Sequence, residues 1–219
     1  ILLKANVKDL FEDYEIVGGI RIPTSFNGAE YFVTFNDRKK RLDKRYSIYM
    51  RRQRQNNSLA PSRSLQRQES VILLGQYGVR YPLDVFRSLR ATATLRQDRV
   101  TQLATDIRSF NEPNNNAQRV GLRLEYVFDN SFERAMNIRN GSRYKVFAES
   151  FKKFSVNTNN GLDVSFDDGF MTVLGLDARH YQPILKHSVF AARLAAATSF
   201  GSERILYFMG GVNNWLFPA

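Results

Sequence analysis

Apolar and polar residues alternate singly along most of this chain, a pattern that predicts β-strands with two unlike faces. The clearest stretch is 119–129. Val120, Leu122, Leu124, Tyr126 and Phe128 share one face. Arg119, Gly121, Arg123, Glu125 and Asp129 share the other, with Val127 the one apolar intruder. Successive side chains of a strand point to opposite sides, so this strand has one wholly apolar side and one charged side. The same period runs through 13–22 (Tyr14, Ile16, Ile20, Ile22), 29–36 (Ala29, Tyr31, Val33, Phe35), 44–53 (Tyr46, Ile48, Met50) and 70–81 (Val71, Leu73, Tyr77, Val79, Tyr81). It continues in 85–98 (Val85, Leu89, Ala91, Ala93, Leu95) and 142–149 (Tyr144, Val146, Ala148). It is looser in 169–181 (Phe170, Leu174, Leu176) and 185–199 (Phe190, Ala192, Leu194, Ala196). About nine strands follow from this count. The only helical candidate is a short stretch near 6–12. The expected fold class is all-β, an antiparallel sheet joined by hairpins.

Alternation alone does not say which face meets solvent. A soluble barrel turns its apolar face inward, and a membrane barrel turns it outward. Three features favour the membrane. Several strands exceed the usual five or six residues and match the roughly 9–11 tilted residues that cross a bilayer. Aromatic residues sit toward strand ends (Tyr14, Tyr31, Phe35, Tyr46, Tyr77, Tyr81, Phe86, Tyr126, Phe128, Tyr144), as in interfacial girdles. The polar faces are rich in Arg and acids: Arg90, Arg96, Arg119, Arg123, Arg143 and Arg193 are suited to pair with Glu125, Asp129, Glu149 and Asp177 in a wet lumen. Pro82-Leu83-Asp84 and Gln182-Pro183 are expected as tight turns at one end. Long polar loops are expected at 54–66, 99–117 and 155–168, with the short 24–28 a misfit at that same end.

The charge of +11 widens the choice, because a basic balance also suits nucleic acid or an anionic membrane. Arg38-Lys39-Lys40-Arg41 and Arg51-Arg52-Gln53-Arg54, with Tyr46 and Tyr49 nearby, could serve nucleic-acid contacts, but a charged turn and a solvated lumen face account for them more simply. The chain has no Cys, which excludes disulfides, zinc-thiolate sites and Cys nucleophiles. Asp163, Asp167 and Asp168 lack the spacing of a calcium loop, and His180 and His187 have no further ligands placed by sequence. No Gly-x-Ser-x-Gly and no phosphate-binding glycine loop occurs. The chain is therefore expected to be neither an enzyme nor a holder of a metal or cofactor, and to bind no nucleic acid.

Particular residues then suggest a family. Glu125-Tyr126-Val127-Phe128-Asp129-Asn130, followed by Asn137-Ile138-Arg139-Asn140-Gly141-Ser142-Arg143, resembles a hallmark of the BamA-like superfamily of bacterial surface antigen barrels. Ala135-Met136 stands where that pattern commonly has Pro. Ala178-Arg179-His180-Tyr181, the strand ending Ser199-Phe200-Gly201, and Phe208-Met209-Gly210-Gly211-Val212-Asn213-Asn214-Trp215-Leu216 are similar to it as well. The resemblance covers mainly 118–219. It implies one incomplete barrel domain over 1–219, carrying about nine strands of about sixteen. Residues 1–12 would form a short periplasmic lead-in, and 200–219 would begin a long outer loop. It further implies the bacterial outer membrane, with membrane lipid, translocating or unfolded polypeptide and periplasmic domains of the same parent chain as partners, and a role in inserting or translocating proteins. Gly210, Gly211, Asn213, Asn214 and Trp215 would form the loop entry, and Arg119, Arg123, Glu125, Arg143, Asp177 and Arg193 would line the lumen. A porin- or transporter-type barrel, or a soluble basic β-protein that binds nucleic acid, are the alternatives.

Overall fold

The computed structural model describes residues 1–24, 27–57, 66–103, 114–136, 138–157, 163–185 and 188–202. Among them lie 11 strands and no helix: β1 (Leu2–Lys8), β2 (Tyr14–Arg21), β3 (Gly28–Asp37), β4 (Asp43–Asn57), β5 (Gln66–Pro82), β6 (Arg87–Leu103), β7 (Asn115–Asp129), β8 (Phe132–Ala135), β9 (Ile138–Asn157), β10 (Asp163–Leu185) and β11 (Ser188–Gly201). They form one antiparallel sheet whose strands follow chain order, with β7 beside β9 and the short β8 paired only to β9. β1 and β11 are the two edges, and among the described residues nothing pairs them to each other. The antiparallel all-β sheet expected from alternation is thus present, and among the described residues it is not closed into a barrel.

Each of the nine alternating stretches falls largely within a strand, and most of these strands run beyond the strict alternation. Three local expectations are corrected. The stretch near 6–12 is not helical: Leu3, Ala5 and Val7 pair with Ile20, Gly18 and Ile16 as part of β1. Apolar residues there recur every second position, which places them on one side of a strand. Gln182-Pro183 is not a turn. β10 runs through it to Leu185, with Gln182 opposite Phe190 and Pro183 opposite Val189, and the ladder shifts between Pro183 and Leu185. A proline has no N–H to give, and a bulge at a strand end tolerates that loss. The acidic stretch around Asp163–Asp168 belongs to β10 rather than to a loop, with a bulge between Phe166 and Phe170. At Pro82-Leu83-Asp84 the expected turn is present. Asp84 Oδ1 accepts from the backbone N–H groups of Phe86 (2.8 Å) and Arg87 (2.7 Å).

Register makes the two faces continuous. One row across the sheet reads Phe35, Tyr46, Tyr77, Ala93, Leu122, and the next Val79, Ala91, Leu124, Ala148, Leu174, Thr198. The row between them on the opposite side reads Arg45, Gly78, Thr92, Arg123, Glu149, Val173. On the apolar face the charged residues stand toward the strand ends. Lys44 and Arg52 bracket β4, and Arg87 and Arg99 bracket β6. At ~3.4 Å per residue the uncharged band between them is about 27 Å long on β4 and about 41 Å on β6, measured along the strand.

Rings border that band. At the end carrying the turns 38–42 and 83–86 and the short β8, Tyr14 and Phe35 lie 6.1 Å apart, Phe35 and Tyr46 6.1 Å, Tyr46 and Tyr77 5.0 Å, and Phe128 and Tyr144 4.8 Å. Toward the other end Phe154 and Phe166 lie 6.3 Å apart.

Burial is inverted relative to a water-soluble sheet. Ile48 is 63% exposed, Leu95 59%, Leu122 52% and Leu194 62%, all on the apolar face. The buried side chains lie on the polar face: Glu30, Asn36, Ser88, Thr94 and Arg123, with Phe32, Tyr49, Val127 and Val173 among them. No apolar core lies between two layers, because a second layer is absent among the described residues.

Candidate functional site: the ion-paired face of the sheet

The polar face is a network in which one acid commonly holds two cations. Arg123 on β7 is one of its buried members. Its guanidinium reaches Glu125 at 2.8 Å and Glu149 on β9 at 3.2 Å, and it lies over the Phe147 ring at 4.1 Å. Alternation puts Arg123 and Glu125 on the same side of β7, and the ladder sets Arg123 directly opposite Glu149. Lys145 approaches Glu125 at 3.8 Å. Asp98 on β6 holds Arg96 at 2.9 Å and also pairs with Arg119. Asp177 on β10 holds Arg179 at 3.3 Å and Arg193 of β11 at 2.9 Å. Asp129 and Arg143 pair at 3.4 Å. Toward β1, Glu15 accepts from Arg38 (2.8 Å), Asn36 (3.1 Å) and Asn6 (3.2 Å), while Glu30 lies 3.7 Å from Arg21 and 3.6 Å from Arg51.

Every lumen-lining residue expected from the sequence, Arg119, Arg123, Glu125, Arg143, Asp177 and Arg193, therefore falls on this one face, and each has an ionic partner. Among the partners not anticipated are Asp98, Lys145 and Arg179, and toward β1 the acids Glu15 and Glu30. Their parity within each strand was readable, but which strand stands beside which was not. Among the six arginines considered, Arg90 stands apart. It is opposite Glu125 in the β6–β7 ladder, yet no hydrogen bond or ion pair reaches it among the described residues, and its Nε is buried. Gly210, Gly211, Asn213, Asn214 and Trp215 lie outside the described residues.

Glycines on this face make room for rings. Gly121 is opposite Phe151, Gly175 opposite Phe147, and Gly19 opposite Phe32. A Cβ at any of the three would fall on the ring of its partner. Each ring lies over the neighbouring backbone, which fills the gap left by the missing side chain.

The two halves of the 125–143 motif come together. Asp129 faces Arg143 across the ladder, Asp129 Oδ1 accepts from Ser131 Oγ (2.6 Å), and Asn130 Oδ1 accepts from the Ser142 N–H (2.7 Å). Gly141 has φ 111°, a left-handed conformation that strains other residues, and a Cβ there would meet the Asn130 carbonyl. The intervening residues carry β8. Ser142 Oγ also lies 2.8 Å from His180 Nδ1.

The basic runs are divided between the two faces. Arg51 pairs with Glu30 on the polar face, whereas Arg52 (2.6 Å) and Arg54 (3.0 Å) pair with Glu69 on the other, beyond the uncharged band. The Arg52 hydrogen bond, with Arg54 beside it, holds the Glu69 carboxyl below the usual carboxylate range. Among the described residues no three His, Cys, Asp or Glu side chains gather as metal ligands would.

Each face also has a hollow. On the apolar face a groove of about 860 Å³ crosses β5 to β11, with Ala91, Ala148, Leu174 and Ala196 among its lining residues. On the polar face a pocket of about 280 Å³ is lined by Arg38, Arg45, Arg80, Arg90, Asp43 and Glu125. Comparison of the chain with protein-family models, with curated proteins and with solved structures finds no match to any of them.

Proposed function

We propose that this sheet is part of the wall of a transmembrane β-barrel of bacterial outer-membrane type, with its uncharged face toward lipid and its ion-paired face toward a polar lumen. The observation that carries the proposal is the inversion of burial. Large apolar side chains stand in the open on one face, while the buried side chains, charged ones among them, lie on the other. In water such a surface costs roughly 25 cal/mol for each Å² of apolar area left exposed, and lipid removes that cost. An uncharged band bordered by aromatic rings has the layout of a lipid-facing barrel surface. Paired edges complete such a wall, since open ones are expensive in hydrocarbon. The test is fractionation of cells producing the whole parent protein. Recovery in the outer-membrane fraction, and release only by detergent, supports the proposal; recovery in the soluble fraction without detergent contradicts it.

Within that class the proposed role is mechanical rather than catalytic: insertion or translocation of polypeptides, as in the BamA-like superfamily. Support comes from the 125–143 motif, whose Asp129-Asn130 and Gly141-Ser142-Arg143 halves form one turn structure. Depletion of the parent protein should then lower the amount of other barrels, or of a transported polypeptide, in the outer membrane. A second reading, a porin- or transporter-type barrel, is favoured by the cationic excess on the polar face. That reading predicts a steady, anion-selective conductance in planar bilayers and no assembly defect.

A further inference from the structure

We infer that the polar pocket between β3 and β7 is a binding site for a phosphate dianion, free or as a monoester. The pocket has a volume of about 280 Å³, and Arg38, Arg45, Arg80 and Arg90 contribute to its lining. The acids nearby are already engaged. Asp43 lies 3.8 Å from Arg80, while Glu125 is held by Arg123 at 2.8 Å and Lys145 at 3.8 Å. Arg38 is taken by Glu15 at 2.8 Å. Two guanidinium groups are left over. Arg45 donates to the neutral Asn36 at 2.9 Å, and Arg90 has no hydrogen-bond or ion-pair partner among the described residues.

The arrangement is costly without an anion. Arg80 and Arg90 are direct cross-strand partners, and like charges opposite one another destabilise a ladder. Arg90 stands opposite Glu125, but that carboxylate is shared with Arg123 and Lys145, so the charge of Arg90 is not matched within the sheet. Gly78 stands between Arg45 and Thr92 in the adjoining row and supplies no side chain, so the hollow beside the guanidinium groups stays open. A tetrahedral oxyanion with several acceptor oxygens matches planar guanidinium donors arriving from different strands, and a double negative charge matches the two unspent cations. A carboxylate supplies half that charge and fewer acceptors. The inference rests on the polar face alone and holds whether or not the opposite face meets lipid.

The experiment is calorimetric titration of the purified, folded protein with inorganic phosphate, at an ionic strength held constant with chloride. Saturable binding is expected, with acetate at least tenfold weaker. Arg90→Gln should weaken phosphate binding at least tenfold. Gly78→Leu, which alters no charge and whose Cβ meets only ordinary contacts, should weaken it similarly by filling the hollow. Arg54→Gln, on the other face, should leave it unchanged. Glycerol 3-phosphate distinguishes the source: tighter binding than phosphate points to a phosphorylated headgroup or sugar, and equal or weaker binding to free phosphate. The inference is overturned if phosphate gives no more heat than chloride, if acetate binds as tightly, or if folded Arg90→Gln and Gly78→Leu both bind like the parent.

Discussion

Replacing Leu122 by Arg separates a lipid-facing sheet from a water-facing one. Leu122 is at the middle of the apolar row of β7 and is 52% exposed in the isolated sheet. If water covers it, an arginine there is an ordinary surface change, worth within about 0.5 kcal/mol. If lipid covers it, the guanidinium stands near the bilayer midplane and costs about 2–4 kcal/mol. Gln118 is the internal reference. It is on the same face of the same strand, about 14 Å nearer the strand end at ~3.4 Å per residue. Arginine at that depth costs about 0–1 kcal/mol. The contrast of about 2–3 kcal/mol corresponds to a roughly 30- to 150-fold difference in the folding equilibrium. The assay is reversible urea unfolding of Leu122→Arg and Gln118→Arg from phospholipid vesicles, read by tryptophan fluorescence or by heat-modifiable migration on gels. Equal small costs at the two positions would refute the reasoning, because no depth dependence would remain.

Three further outcomes follow from the polar face and the strand ends. Arg123→Met leaves Glu125 and Glu149 without their shared guanidinium in a nearly closed site, so unfolding free energy should fall by about 3–5 kcal/mol, and by less when Glu149→Gln is added; denaturant titration of the single and double variants checks this. Gly121→Val drives a side chain into the Phe151 ring and should cost about 1–3 kcal/mol, whereas Gly75→Val, where nothing lies within 4 Å, should cost little. Glu69 has a folded pKa below its unfolded one, so the stability it adds is present above about pH 4.3 and is lost as pH falls through the folded value. Glu69→Gln should therefore flatten the acid limb of the stability–pH curve below that range and leave its alkaline limb unchanged.

Much of the fold was legible because each strand carries its own two-sided pattern. In β7 every second residue from Val120 to Phe128 is apolar, and no other arrangement of that stretch gathers those five side chains on one side. The membership of the polar face was legible for the same reason: Arg119, Arg123, Glu125, Arg143, Asp177 and Arg193 all have its parity. β1 was harder to read. It is short and mixed, and Leu3, Ala5 and Val7 gain meaning only against Ile20, Gly18 and Ile16 of β2. The 182–183 dipeptide misled because proline marks turns in isolation, while here it sits beside a bulge two residues before the strand ends. Pairing was least legible. That Asp98 holds two arginines, and that Arg90 faces Arg80, depends on register between strands, which no single strand encodes.

Residues 1–219 contain no cysteine, so single cysteines placed among them can report the environment of each face, in a background where any cysteine elsewhere is replaced by serine. Val33, Ile48, Leu95, Leu124 and Leu174 on the apolar face, and Thr34, Ser47, Thr92, Glu125 and Arg193 on the polar face, are replaced one at a time in the protein assembled in membranes. Each is then exposed to a lipid-confined or a water-confined thiol reagent. Strict alternation is predicted: the apolar-face set reacts only with the lipid-confined reagent, and the polar-face set only with the aqueous one. Aqueous labelling of the apolar-face set, at rates equal to those of residues in the turns, would contradict the assignment of that face to lipid.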